Sequence, residues 1–374
     1  MPGKQQNENI ETDSANIRMA VSSNAPSHPG GAERYAIDLA HGLAKRGFET
    51  TYFASHFRTL GLVDPSIKQF PIRGTAFLPR LFKENVYSHK VKKAKNKVGV
   101  DVLVACNTVV AADIAMCGGT HIGFLKAIQK TASKRDSRKI KLESRMYEQS
   151  SLIMAHSNLM RQELLNLYGL PDEKICVLYP PVDHKRFSLV SDTKRQELRE
   201  AHGFKDSEVV LLFPSSSHSR KGLDLVLAAV ERIGHPLVLA VAGKEPEVTS
   251  ERLRYLGYVD EIQTCYQAAD FAILAPLYEP FGLVGVESVL CGTPVIFPDN
   301  VGCNEVLDET ARYIFEPANL DGLYSALTAI LQKRENNPKS LRVVDPKKSI
   351  LYDYKIESHV NEVIKMANFC IERK

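Results

Sequence analysis

Two glutamates, Glu279 and Glu287, bracket the segment with the most specific chemistry: Tyr278-Glu279-Pro280-Phe281-Gly282-Leu283-Val284-Gly285-Val286-Glu287. Glu279 falls where a strand gives way to a helix, on a loop that can turn a side chain toward a ligand. Gly282 lets the backbone approach a bound molecule closely. The helix it opens offers unpaired N–H groups and the positive end of its dipole. Glu287 comes about a turn and a half later among Val284, Val286, Val289 and Leu290. A carboxylate among aliphatic neighbours needs a partner, and the diol of a sugar or ribose supplies two donors. The plainer reading makes Glu279 a turn residue and Glu287 a solvated helix position. It serves for either glutamate alone, but not for their spacing joined to Pro-Phe-Gly and to Cys291-Gly292-Thr293-Pro294-Val295.

Arg220 and Lys221 stand in a second loop, after another apolar run. Two fixed cations there would neutralise an anionic group of a ligand; otherwise they form a solvated basic turn. Gly30-Gly31 precedes a helix and would seat an oxyanion, or simply make a tight turn. The order Pro29-Gly30-Gly31-Ala32-Glu33 is not the G-x-G-x-x-G dinucleotide pattern. Cys117-Gly118-Gly119-Thr120-His121 also follows a strand, and His121 serves there either as a site residue or as part of the turn. The other histidines show no His-Glu-x-x-His spacing, and no Asp-x-Asp pair occurs. The expectation is therefore no metal and no cofactor, with any anionic ligand held by side chains and helix ends.

The elements that must position these residues alternate along the chain. Ile17–Ser22 reads as a strand. Ala32, Tyr35, Ala36, Leu39, Ala40, Leu43 and Ala44 lie at helical steps, with Gly47 as the stop. Phe48–Ala54, Asp101–Cys106, Asp113–Met116 and Leu152–His156 continue as strands, and Ser157 caps the next helix. The pattern restarts at Val209–Phe213 and runs through Leu237–Ala242, Phe271–Ala275 and Pro294–Phe297. Two consecutive doubly wound units imply ligands at the carboxyl ends of the strands, in a cleft between domains. The expected organisation is a disordered tail over 1–16, a first domain over 17–183, a second over 184–350, and a C-terminal segment, 351–374, whose helix packs back on the first domain.

With 374 residues, 44% hydrophobic and 25% charged, the chain suits two domains and excludes fibrous or largely disordered classes. No apolar run spans a bilayer and no signal peptide opens the sequence, so a cytoplasmic location is expected. The seven scattered cysteines contain no C-x-x-C pair and read as reduced, packed side chains. Residues 80–145 carry 15 Lys or Arg against 5 Asp or Glu. Such a run is either a solvated face or a match for an anionic membrane surface or a phosphorylated acceptor. Lys90, Lys93 and Lys97 share one face of a helix over Lys83–Val98.

YEPFGLVGVESVLCGTPV, Tyr278–Val295, resembles the donor-site signature of the retaining family-4 glycosyltransferases. The likeness runs through most of the chain from Ile17. It takes in Gly30-Gly31, Tyr179-Pro180-Pro181-Val182-Asp183, Ala268-Ala269-Asp270 and Val301-Gly302-Cys303-Asn304-Glu305. It implies the GT-B fold, two Rossmann-like α/β domains facing a central cleft. It implies roles as well. Glu279 accepts from a hydroxyl of the donor sugar, Glu287 binds the ribose, and the N–H groups of Phe281, Gly282 and Leu283 face sugar and diphosphate. Gly30 and Gly31 belong to the donor site, and His121 lies beside the anomeric carbon. The commonest family pattern has a Gly-Arg pair five residues before the lysine. Here Ser215-Ser216-Ser217 fills that stretch, which makes Lys221 the firmer diphosphate contact and Arg220 its substitute.

The segment around Cys117–Leu125 resembles sugar transferases of lipopolysaccharide-core assembly. The resemblance implies transfer of a hexose-type sugar from a UDP- or GDP-sugar to a glycan or glycolipid acceptor, and the basic run over 80–145 adds the expectation of peripheral docking on the inner face of the cytoplasmic membrane. No nucleic acid is expected as a partner. A soluble transferase making a disaccharide or small glycoside shares every donor residue, and a sugar-nucleotide epimerase shares the architecture. A non-catalytic binding module fits poorly with both glutamates and Lys221 in place.

Overall fold

A computed structural model describes residues 17–26, 31–57, 61–75, 78–336 and 341–374. Its strands fall into two sheets. The first holds β1 (Arg18–Ser22), β2 (Glu49–Ala54), β3 (Lys68–Pro71), β4 (Val102–Ala105), β5 (Ile114–Cys117), β6 (Leu152–Ala155) and β7 (Ile175–Val177), in the order β3-β2-β1-β4-β5-β6-β7. The second holds β8 (Val209–Ser215), β9 (Leu237–Gly243), β10 (Leu253–Tyr255), β11 (Phe271–Ile273), β12 (Val295–Pro298) and β13 (Arg312–Phe315), in the order β10-β9-β8-β11-β12-β13. β1 runs parallel to β2 from Arg18↔Glu49 to Ser22↔Phe53, and β8 parallel to β9 from Val209↔Leu237 to Ser215↔Gly243.

Central strands such as β8 and β9 are apolar along their whole length because a parallel sheet is covered on both faces. The helix Gly31–Lys45 buries Tyr35, Leu39 and Leu43 on one side, and Gly47 ends the turn with φ 87°. Ser157 caps the helix Asn158–Tyr168 by accepting from Met160 N–H. In each sheet the strand order reverses once, between β1 and β4 and between β8 and β11. Such reversal points open a crevice above the strand ends and are where open α/β sheets bind ligands.

The chain forms two compact units that interleave in sequence. One runs to Met116 and adds Arg138–Met154 and Val360–Lys374; the other joins Cys117–Ser137 to Ala155–His359. Residues 117–137 and 155–183, assigned above to the first domain, thus lie in the second unit. Most of the last helix, Ile356–Glu372, belongs to the first unit, where a side chain at Gly42 would run into Val360. No helix among the described residues is long and apolar enough to cross a membrane.

The basic helix spans Arg80–Val98. Lys93 and Lys97 are exposed on it, but Lys90 donates to the Arg73 carbonyl at 2.6 Å. Lys95 turns inward to Asp113.

Candidate active site

The reversal between β8 and β11 brings two loops together. After β8 the chain makes one helical turn, His218–Lys221, and stops at Gly222 with φ 77°. A Cβ there would overlap the carbonyl oxygen of Ala275, so glycine alone allows this turn to lie against the end of β11. Ala275 N–H donates to the Lys221 carbonyl at 2.9 Å, which locks the contact.

Lys221 Nζ consequently donates to Glu279 Oε2, with both side chains only 12% exposed. Arg220 Nη1 lies 3.9 Å from the same oxygen and is half exposed. The family resemblance implies separate duties for these residues, toward a diphosphate and a sugar hydroxyl, and the fold makes them one cluster. An enclosed ion pair like this is costly to break on one side, because the remaining charge is left desolvated.

The loop after Glu279 is held from beneath. Glu279 bridges to Val301, and Gly302 N–H donates to the Glu279 carbonyl at 3.1 Å. Ser157 Oγ donates to the Pro280 carbonyl at 2.7 Å. Phe281 is 5% exposed and packs beside the rings of Tyr179 and Tyr352, so its side chain anchors the loop. Gly282, at φ 87°, starts the helix Leu283–Leu290. At Gly285 a Cβ would strike Cys303, which lets that helix sit low on the sheet. Glu287 on this helix accepts from the buried Tyr266 hydroxyl at 3.3 Å. Burial first, and then Glu287, pushes the Tyr266 phenol well above its usual range, so it remains a hydrogen-bond donor.

His121 opens the short helix His121–Ala127, with Thr120 as its cap. Gly119 comes so close to Pro280 that a Cβ would lie 3.1 Å from the ring. Thr120 N–H donates to Tyr278 Oη at 2.8 Å, and Tyr278 Oη donates to Glu163 Oε2 at 2.9 Å. Thr120 Oγ1 donates to the same carboxylate oxygen. The loop bearing His121 is therefore tied, through Tyr278 and Glu163, to the loop bearing Glu279. Burial and the Glu163 charge keep the Tyr278 hydroxyl protonated.

His121 Nε2 meets Asp136 Oδ1 at 2.8 Å. The other oxygen of Asp136 accepts from Ser133 N–H at 3.0 Å and from its hydroxyl at 2.6 Å. Those bonds, followed by His121, hold the Asp136 carboxyl far below the usual carboxylate range.

Of the residues named from sequence, the structure unites Arg220, Lys221 and Glu279, and sets Phe281, Gly282, Leu283 and Glu287 on the adjoining loop and helix. Gly31 begins the first long helix, while Gly30 lies outside the described residues. Cys117 is buried. Sequence reasoning missed Glu163, Tyr266, Ser157 and Asp136 as supports. Two of them carried a local signal: Ser157 as a helix cap, and Asp136 in the Ser133-x-x-Asp136 capping box. Among the described residues no three His, Cys, Asp or Glu side chains gather as metal ligands.

This arrangement, on two parallel sheets with reversed strand order, is that of a two-domain glycosyltransferase. Residues 29–186 match the family model described as Glycosyltransferase Family 4, and residues 194–343 match the one described as Glycosyl transferases group 1. A protein of Burkholderia thailandensis named "Probable transglycosylase" is 47% identical over 94% of this chain and 97% of its own length. The crystal structure of WaaG, a glycosyltransferase involved in lipopolysaccharide biosynthesis, superposes with a TM-score of 0.78 at 16% identity, covering 94% of this chain and 99% of WaaG. HepE of Anabaena, solved in complex with UDP, gives 0.72 at 15% identity over 94% of this chain and 100% of HepE. The chain belongs to the family-4 glycosyltransferases and has the GT-B architecture.

Proposed function

We propose that the protein moves a hexose-type sugar from a nucleoside diphosphate sugar to a glycan acceptor, with retention at the anomeric carbon. The observation that carries this reading is the enclosed Lys221–Glu279 pair at the β8/β11 reversal, with Glu287 on the helix that follows. In this reading Glu287 takes the ribose hydroxyls, and HepE, which shares the fold, was solved in complex with UDP. Glu279 receives a hydroxyl of the donor sugar. Lys221 and Arg220 face the diphosphate, where cations stabilise the charge that builds as the glycosidic bond breaks. His121, oriented by Asp136, stands beside the reacting carbon.

The acceptor hydroxyl attacks from the face the diphosphate leaves. Its proton passes to the departing phosphate oxygen, so no enzyme nucleophile is needed. Gly30 and Gly31 keep their reading as donor-binding residues that seat an oxyanion, Gly31 at the start of the first long helix.

For the acceptor, the likeness to WaaG and the basic stretch 80–145 support a lipid-linked glycan such as a lipopolysaccharide core, met at the cytoplasmic face of a membrane. The name of the Burkholderia relative favours a second reading, sugar transfer between glycosides with no nucleotide. Lys221 and Arg220 argue against it, because a glycoside leaving group has no diphosphate charge to neutralise.

A thermal-shift panel of nucleoside diphosphates and their sugars, run with and without EDTA, separates the two. UDP or GDP should raise the melting temperature by mass action, and transfer should persist in EDTA. No shift with any nucleotide would overturn the nucleotide-sugar reading. An absolute need for Mg²⁺ or Mn²⁺ would overturn the assignment of the diphosphate to Lys221 and Arg220.

A further inference from the structure

The donor loop and the loop that bears His121 share one support. Tyr278 and Pro280 flank Glu279, and both are held from the helix Asn158–Tyr168. At the start of that helix the Ser157 hydroxyl accepts from Met160 N–H and donates to the Pro280 carbonyl. About a turn and a half further along, Glu163 Oε2 accepts from the Tyr278 hydroxyl at 2.9 Å.

The same oxygen reaches the second loop. Thr120, the residue before His121, donates its hydroxyl to Glu163 Oε2 and accepts from Gly123 N–H at 3.0 Å. Thr120 N–H donates in turn to the Tyr278 hydroxyl at 2.8 Å, which closes a ring of hydrogen bonds. Thr120 and Tyr278, 43 and 115 positions from Glu163 in the chain, thus meet at one carboxylate oxygen.

The backbone makes room for this carboxylate. A Cβ at Gly123 would lie 2.2 Å from Glu163 Oε2, so the helix His121–Ala127 carries glycine where the carboxylate lies against it. Space is the reason, since alanine is the better helix former. A contact that served packing alone would be met by an apolar side chain. A carboxylate adds charge-assisted bonds of defined length and direction, and removing it leaves two hydroxyls without their acceptor.

We propose that Glu163 is a positioning residue for transfer: through Thr120 and Tyr278 it fixes the placement of His121 relative to Glu279. The inference rests on the transferase reading, and every residue in it belongs to the second unit. Glu163 acts through its two neighbours and not on the substrates. Reacting groups must be held closely, because a misplacement of about 1 Å can cost ~100-fold in rate. The ring leaves out Glu287, so nucleotide affinity is expected to stay as it is.

Steady-state kinetics and nucleotide titration on the full chain test this. Glu163→Ala should lower kcat at least about tenfold, while the donor KM and the affinity for the nucleoside diphosphate stay within about twofold. Glu163→Gln keeps an oxygen that can accept from both hydroxyls, and should run within about threefold of wild type. Tyr278→Phe added to Glu163→Ala should cost little more, because the two act as one. Gly123→Ala is an independent route. It keeps Glu163 but pushes the carboxylate aside, and should lower kcat as Glu163→Ala does without an early melt. Hydrogen exchange needs no activity: in Glu163→Ala, residues 118–124 and 278–283 should both exchange faster than in wild type.

Wild-type kcat in Glu163→Ala, a Gln variant as slow as the Ala one, or a loss that falls on donor KM instead of kcat would each overturn the proposal and leave the transferase reading intact. Faster exchange in only one of the two segments would overturn it as well. Absence of transfer by the wild-type protein would overturn the transferase reading itself, and exchange would still decide whether Glu163 joins the two loops.

Discussion

The two charge-rich regions of this protein follow opposite rules. At the ends of β8 and β11, Lys221 and Glu279 are almost wholly enclosed, each with its partner fixed by backbone contacts through Gly222, Ala275, Val301 and Gly302. Along Arg80–Val98, more positive charge is spread over a surface, with Lys93 and Lys97 in solvent and Lys90 and Lys95 occupied in holding the fold. Charge count favours the helix as a functional region. Enclosure favours the loops, because a charge in a water-poor setting acts on a ligand several times more strongly than the same charge in water. A run of lysines read from sequence overstates what is available, since side chains bonded to backbone or to Asp113 offer little to a partner.

The largest effects should come from breaking the enclosed cluster. Glu279→Gln and Lys221→Ala should each lower the rate of transfer at least about 100-fold with folding intact. The double variant should be little worse than the weaker single one, because the two act as a unit. Steady-state kinetics on the three variants checks this, and near-normal turnover in either single variant would dissolve the contrast between enclosed and spread charge.

A smaller effect is expected one contact further out. Asp136→Asn should reduce kcat about tenfold, near 1.4 kcal/mol, with little change in KM for the donor, because it disturbs His121 and spares the nucleotide contacts. Ser133→Ala breaks the capping box but leaves Asp136 facing His121. An equal loss of kcat in Ser133→Ala would mean that Asp136 serves only its helix.

The smallest effect per residue belongs to the basic helix. Lys93→Glu and Lys97→Glu should together weaken sedimentation with anionic vesicles at low salt, at about 1 kcal/mol per basic residue near the surface, and leave the melting temperature alone. Lys90→Glu should act through stability, since it removes the bond to the Arg73 carbonyl. If the wild-type protein ignores anionic vesicles, the acceptor is soluble and the lysines are solvated surface.

Much of the architecture was legible because parallel strands buried on both faces announce themselves as apolar runs. β1, β8, β9 and β12 all lie within a residue or two of their expected ends. The edge strands did not show. β3 reads Lys-Gln-Phe-Pro, and β10 is half exposed, so neither presents the buried run that marks a central strand. The strand-to-helix turn around Glu279 was legible as structure because Glu279, Gly282 and Glu287 lie within ten residues of chain.

Its supports were not legible. Tyr266 reaches Glu287 across 21 positions, and Glu163 reaches Tyr278 across 115. Contacts set by the folding of separate helices leave no periodicity to read. The partition of the chain into compact units was hidden for the same reason. Residues 117–137 and 155–183 join the second unit through long-range bonds such as Ser157 to Pro280, which no local composition reveals.

The central claim is that Glu287 and Glu279 hold the two ends of one nucleotide-sugar donor. Isothermal titration of the full chain, with the nucleoside diphosphate chosen by thermal shift and then with its sugar, tests that division directly. Glu287→Gln should weaken the nucleoside diphosphate itself at least about tenfold, whereas Glu279→Gln should leave that affinity unchanged and weaken only the ligand that carries the sugar. A Glu287→Gln protein that binds the nucleotide as tightly as wild type would contradict the account.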